Sequence, residues 1–259
     1  MTERLIARKE GALGWIVFNN PDRRNAVSID MWQAIPAALE DFARDAEIRV
    51  VVLAGAGDKA FISGADISQF EKQRSSKEAV QRYEDISEAA QAGLAGFEKP
   101  LVAMIRGYCL GAGVNVANSC DLRIAADDAR FGIPAGKMGL GYRATSMKNL
   151  VDTVGAPFAR EIMLTARHFT AAEGLKMGLV HHVVPVAEME SFTRKYCDDI
   201  AANAPLTLRA AKRTIREVSK RDYDVELCKS WVRECFESED YAEGRRAFME
   251  KRKPQFKGR

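Results

Sequence analysis

An α/β core with a helical C-terminal extension is predicted by two observations. Through residue 186, short β-branched runs alternate with Gly-rich turns and helical patterns, the order of a core built from strand–turn–helix units. From Glu188 onward the chain is charged and helical in period, with a stripe of Leu206, Leu208, Ala211 and Ile215. The expected division is a core over residues 1–195 and a helical region over 196–259. Composition narrows the class. The 259 residues are 47% apolar and 29% charged, as in an ordinary globular protein. A net charge of +3 with no basic cluster does not point to nucleic acid. Five cysteines without a CxxC pair argue against a disulfide framework. No apolar run approaches the roughly 20 residues that span a bilayer. The first residues, MTERLIARKEG, carry charges where a signal peptide needs an apolar core. A reducing, bacterial-type cytoplasm is the expected address.

The elements follow in order. Residues 4–19 alternate as a hairpin around a turn at 11–14. The segment from Asn20 to Asn25 is a loop carrying Arg23 and Arg24. Ser28 caps a helix over 29 to about 46, with apolar Met31, Ile35, Leu39 and Phe42 on one face. Residues 49–54 (RVVVLA) form a short buried strand, and a Gly-rich turn leads into 59–66. Residues 67–99 read as a solvated helix pair that could also serve as a mobile lid. Residues 122–125 are a strand, and 129–142, with four glycines and a proline, a loop. Helices over 145–154 and 156–166 precede a short helix capped near Thr170, a stop at Gly178 and a strand that includes His181 and His182.

The rest of the chain is organised around residues 100–121, PLVAMIRGYCLGAGVNVANSCD. A buried strand enters a turn at Gly107-Tyr108, and Gly111-Ala112-Gly113 opens a helix. The first N–H groups of such a helix lack intrahelical acceptors and sit at the positive end of its dipole, which suits an anion or a developing oxyanion.

Two segments match a known family. Lys59-Ala60-Phe61-Ile62-Ser63-Gly64-Ala65-Asp66-Ile67 resembles the F-x-x-G-A-D-[ILV] signature of the crotonase (enoyl-CoA hydratase/isomerase) superfamily, and Gly107–Gly113 resembles its G-x-x-x-G-G-G signature. The segments around Asn20–Ala26, Gly174–Val180 and Ala247–Arg252 are also similar to that family, so the resemblance runs from about residue 5 to 257. It implies a crotonase/ClpP-like spiral of ββα units, assembled as a homotrimer or homohexamer through the C-terminal helices. It implies an acyl-CoA thioester substrate, with CoA entering only as part of that substrate and no separate cofactor. The thioester oxygen would accept hydrogen bonds from the backbone N–H groups of Ala65 and Ala112. Arg23, Arg24 and Ala26 match the loop that meets the CoA nucleotide. Ser63, Gly64, Asp66 and Ile67 match the segment around adenine and pantetheine. Phe248 and Lys251 match C-terminal positions that reach a neighbouring subunit's CoA. Each cation also has a plain reading as surface charge.

The departures decide the chemistry. The two glutamates that activate water in a hydratase of this family fall at Asn115 and Ala135. Asn115 can orient a water or a carbonyl, or satisfy backbone, but takes no proton at neutral pH. Simple hydration is therefore not expected. Tyr142 falls where similar decarboxylases carry a tyrosine, and Arg143 where the dehalogenase branch carries its nucleophilic aspartate. A tyrosine and a cation suit a malonyl-type acyl-CoA decarboxylase, in which loss of CO2 makes the enolate without a base. The alternatives are a solvent-facing Arg143 and a non-catalytic acyl-CoA binder. Cys109 reads as core, and the isolated His168 and His181-His182 do not form a metal site. The Gly111-Ala112-Gly113 run lacks the third glycine and the acidic residue of a dinucleotide fingerprint.

Overall fold

In a computed structural model, which describes residues 2–66 and 77–259, the chain opens with two antiparallel strands, β1 (Leu5–Glu10) and β2 (Leu13–Phe18). Glu10 pairs with Leu13, so the turn is only Gly11-Ala12, tighter than the four residues expected. Gly11 takes it at φ 57°, in the left-handed region. Helix α1 (Ile29–Arg44) starts at Ser28 and buries Met31, Ile35, Leu39 and Phe42, the stripe its spacing predicts.

Each later turn of the chain then gives one strand to each of two sheets. Strands β3 (Val50–Gly55), β5 (Leu101–Ile105) and β7 (Leu122–Ala126) extend β1–β2 in parallel, and β10 (His182–Val184) completes six strands in the order β1-β2-β3-β5-β7-β10. Strands β4 (Ala60–Ile62), β6 (Tyr108–Leu110) and β8 (Arg130–Gly132) pair in parallel, and β9 (Phe169–Thr170) joins antiparallel. Helices α2 (Lys77–Gly96), α3 (Ala112–Asn118) and α4 (Ala144–Thr165) follow the β3–β4, β5–β6 and β7–β8 pairs. That is the expected spiral of ββα units.

The large sheet is apolar on both faces, as parallel strands covered on both sides require. Val51 and Leu53 pack with α1, whereas Val50, Val52 and Ala54 pack with Met189 and Cys197 of α6 (Met189–Ala201). The boundary expected at 195/196 falls inside α6. Between β9 and β10 lies α5 (Ala171–Lys176), whose Thr170 cap and Glu173 form a capping box. Helices α7 (Pro205–Val218), α8 (Val225–Phe236) and α9 (Glu239–Met249) complete the chain. The tail folds back on α9: Asp240 accepts from Lys257 N at 2.6 Å and Gly258 N at 2.8 Å, and Arg49 donates to the Phe256 carbonyl at 3.1 Å.

Three expectations are corrected. Gly107-Tyr108 is not simply a turn before α3, because Tyr108–Leu110 forms β6. Residues 129–142 are not all loop, because Arg130–Gly132 is β8 and Pro134–Met138 a 3-10 turn. Three-residue strands are too short to show an alternation amid glycines. Of the segment 67–99, read as a solvated helix pair or a lid, residues 67–76 lie outside the described residues. The rest forms α2, which is not solvated all round, because Tyr83, Ala90 and Leu94, with Phe97 just beyond it, are buried against the core. The two helices expected over 145–166 are α4, broken at Gly155 (φ 73°) ahead of Pro157. Ala211 and Ile215 of the stripe on α7 are exposed in the single chain, Ile215 by 66%.

Candidate active site

The site begins where β6 feeds α3. Gly111 is the N-cap at φ 51° and ψ −107°, a conformation that glycine allows and that aims the first turn of α3 outward. Its own N–H donates to the Gly132 carbonyl at 2.8 Å, tying the cap to β8. Gly113 permits the close approach of α3 to β4: a Cβ there would lie 2.3 Å from the Ile62 carbonyl oxygen.

The second wall is built by a loop laced to the end of β4. Val27 N donates to the Gly64 carbonyl at 2.9 Å, and Asp66 N to the Val27 carbonyl at 3.0 Å. Buried Asn25, at φ 56°, donates through Nδ2 to the carbonyls of Ala56 (2.9 Å) and Ala60 (2.7 Å). Asn25→Ala removes that donor from two carbonyls and puts alanine in the left-handed region. It is expected to cost about 2 kcal/mol, read as a lower denaturation midpoint, and an unchanged midpoint would refute this role.

These walls enclose a cleft of about 1110 Å³. Its lining includes Ala65 and Ala112, and among the described residues neither backbone N–H has a hydrogen-bond acceptor. Asn115, one turn along α3, accepts a 2.7 Å hydrogen bond from the Tyr142 hydroxyl through Oδ1. Burial pushes the Tyr142 phenol above its ordinary value of 10.0, against the opposing effects of that hydrogen bond and of Arg143. Ala135 and Pro134 line the cleft nearby.

Arg143 also lines the cleft, so it does not simply face solvent. Its Nη1 donates to Ser87 Oγ at 3.1 Å and to the Glu84 carbonyl at 3.3 Å. Its Nη2 stands 3.8 Å from Glu84 Oε1, too far for a hydrogen bond. Among the described residues, the Nε and Nη2 edge therefore has no hydrogen-bond acceptor. That edge has the fork geometry that matches a carboxylate.

The remaining residues of the resemblance divide. Arg23, Ala26, Ser63, Gly64 and Asp66 line the cleft, with Arg23 Nη1 donating to Asp66 Oδ1 at 3.1 Å. Arg24 does not line it, and its guanidinium lies 5.2 Å from the Tyr108 ring centroid in a neighbouring groove. Phe248 lies in the last turn of α9 and is 82% exposed, and Lys251 follows just beyond the helix end. Ile67 lies outside the described residues. Glu84, Ser87 and Gln91 line the cleft and were not singled out from the sequence. Their i, i+3, i+7 spacing places them on one face of α2 and is the signal that could have found them. Cys109 is buried, and loss of solvent raises its thiol pKa far above normal, so it packs rather than reacts. Among the described residues, no three His, Cys, Asp or Glu side chains gather as a metal ion needs, and no helix is long and apolar enough to cross a membrane.

A family model described as Enoyl-CoA hydratase/isomerase matches residues 8–259. The chain belongs to the enoyl-CoA hydratase/isomerase family. It is 32% identical over 251 residues to the short-chain-enoyl-CoA hydratase of Clostridium acetobutylicum, covering 96% of this chain and 95% of that one. It is equally 32% identical, over 248 residues, to the methylmalonyl-CoA decarboxylase of Escherichia coli, covering 94% of each. The crystal structure of an enoyl-CoA hydratase/carnithine racemase from Magnetospirillum magneticum superposes with a TM-score of 0.96 at 32% identity, covering 100% of this chain and 97% of that one. Members of this family are acyl-CoA enzymes, and overall identity does not separate hydration from decarboxylation, so the side chains in the cleft must do so.

Proposed function

We propose that this family member decarboxylates a malonyl-type acyl-CoA and stabilises the thioester enolate with the N–H groups of Ala65 and Ala112. The observation that carries this reading is the pairing of Asn115 with Tyr142 beside the open edge of Arg143. At one of the two positions where the family resemblance puts a water-activating carboxylate stands a neutral amide, Asn115, paired with a phenol whose pKa burial raises. Among the described residues, the carboxylates that line the cleft, Asp66 and Glu84, each face an arginine.

The step needs no base and no cofactor beyond the CoA of the substrate. The Nε and Nη2 edge of Arg143 holds the substrate carboxylate, and the bond from Cα to that carboxylate breaks. CO2 leaves, and the electron pair moves to the thioester oxygen, where two fixed N–H donors meet the charge. The Tyr142 hydroxyl then gives its proton to Cα, which is far more basic than a phenolate, and water restores the phenol. Tyr142→Phe is expected to lower kcat about tenfold or more, toward the slower protonation from water, with KM little changed. A rise in KM alone would contradict the proton-donor role.

CoA contacts are proposed for Arg23, Ala26, Ser63, Gly64 and Asp66 along the cleft, and for Arg24, Phe248, Lys251 and Ile67 by the family resemblance. Exposed Ile215, Val232, Phe236 and Met249 on α7–α9 support assembly as a homotrimer or homohexamer. The direct test is a panel of methylmalonyl-CoA, ethylmalonyl-CoA and crotonyl-CoA. Release of CO2 from a carboxyacyl-CoA supports the proposal; tight binding without turnover of any of the three indicates a non-catalytic binder.

A further inference from the structure

Arg143 is anchored at one edge and held off at the other. Ser87 Oγ and the Glu84 backbone carbonyl engage Nη1, and both remain when the Glu84 side chain changes. The Glu84 carboxylate attracts Nη2 across 3.8 Å without a directed hydrogen bond. Both side chains are partly exposed, Arg143 by 29% and Glu84 by 40%, so water screens that attraction.

We infer that Glu84 is a resident competitor for Arg143 and sets how strongly the cleft prefers carboxylated acyl groups over neutral ones. An arriving carboxylate makes two charge-assisted hydrogen bonds on the open edge, which Glu84 does not make at its present distance. Binding it therefore replaces a weak contact by a stronger one. Glu84 nevertheless limits the gain in two ways. It must give up its share of the guanidinium charge, and its own charge then stands beside the incoming one. A neutral acyl group meets neither effect, and for it the Glu84–Arg143 pair stays intact. The glutamate is thus a specificity-determining residue, a role separate from proton transfer. The inference rests on reading Arg143 as the carboxylate holder.

The test compares the full chain with Glu84→Gln and Glu84→Asp, after circular dichroism establishes that the fold is retained. Calorimetry gives dissociation constants for succinyl-CoA and butyryl-CoA, four-carbon acyl groups that differ in a terminal carboxylate. Neither can form a thioester enolate by losing CO2. In Glu84→Gln the ratio of the two constants is expected to shift about fivefold toward succinyl-CoA, the scale of an exposed charge pair. Glu84→Asp is expected to keep the wild-type preference. An unchanged ratio, an equal change for both ligands or a shift toward butyryl-CoA would overturn the inference. CO2 release from methylmalonyl-CoA, measured in parallel, separates the two claims. A shifted ratio without CO2 release retains the role of Glu84 and removes decarboxylation. CO2 release with an unchanged ratio does the reverse.

Discussion

Arg143→Ala is expected to lower kcat/KM for a malonyl-type acyl-CoA by roughly 10²-fold, equivalent to about 3 kcal/mol. The magnitude follows from removing a cation that binds a carboxylate through two parallel hydrogen bonds in a partly desolvated cleft. The same change also removes the link from the start of α4 to Ser87 and Glu84 on α2. Those contacts are partly exposed and contribute about 1 kcal/mol to stability, so the denaturation midpoint should move little. Arg143→Lys retains the charge but not the planar fork, and should fall between wild type and alanine. Steady-state kinetics with methylmalonyl-CoA check the prediction. Full activity of Arg143→Ala toward every carboxyacyl-CoA would remove Arg143 from the mechanism.

Ala112→Pro is expected to lower kcat by roughly 10²- to 10³-fold, the usual cost of losing one oxyanion donor. Backbone donors are hard to remove by mutation, but Ala112 is the first residue of α3, and proline is well tolerated there. The substitution therefore deletes the N–H while keeping the helix start. A denaturation midpoint close to wild type, together with lost turnover, would assign the defect to the missing donor. Unchanged turnover would show that Ala112 N–H does not meet the developing charge.

Much of this site was legible in the sequence for a simple physical reason. Gly111, Gly113 and Gly64 stand where the backbone needs a rare conformation or a close approach, and no other residue does the same work. Family spacing points to Asn115, Ala135, Tyr142 and Arg143 as neighbours of the thioester while leaving a solvent-facing Arg143 open, and in the fold all four line one cleft. What the sequence hid is the far wall. Glu84 and Ser87 sit in a polar stretch that resembles a solvated helix, and only the packing of Tyr83, Ala90 and Leu94 turns that face toward Arg143. The short strands β6 and β8 were hidden too, since three residues paired at both edges need no pattern of their own. Arg24 shows the converse: a cation adjacent to Arg23 in sequence is turned by its left-handed backbone toward the Tyr108 ring instead.

Enolate formation by CO2 loss is the central claim, and deuterium labelling tests it most directly. Methylmalonyl-CoA incubated with the protein in D2O should give propionyl-CoA carrying one deuterium at Cα, formed in step with CO2, while crotonyl-CoA remains unhydrated. Conversion of crotonyl-CoA to 3-hydroxybutyryl-CoA, with methylmalonyl-CoA recovered intact, would contradict it.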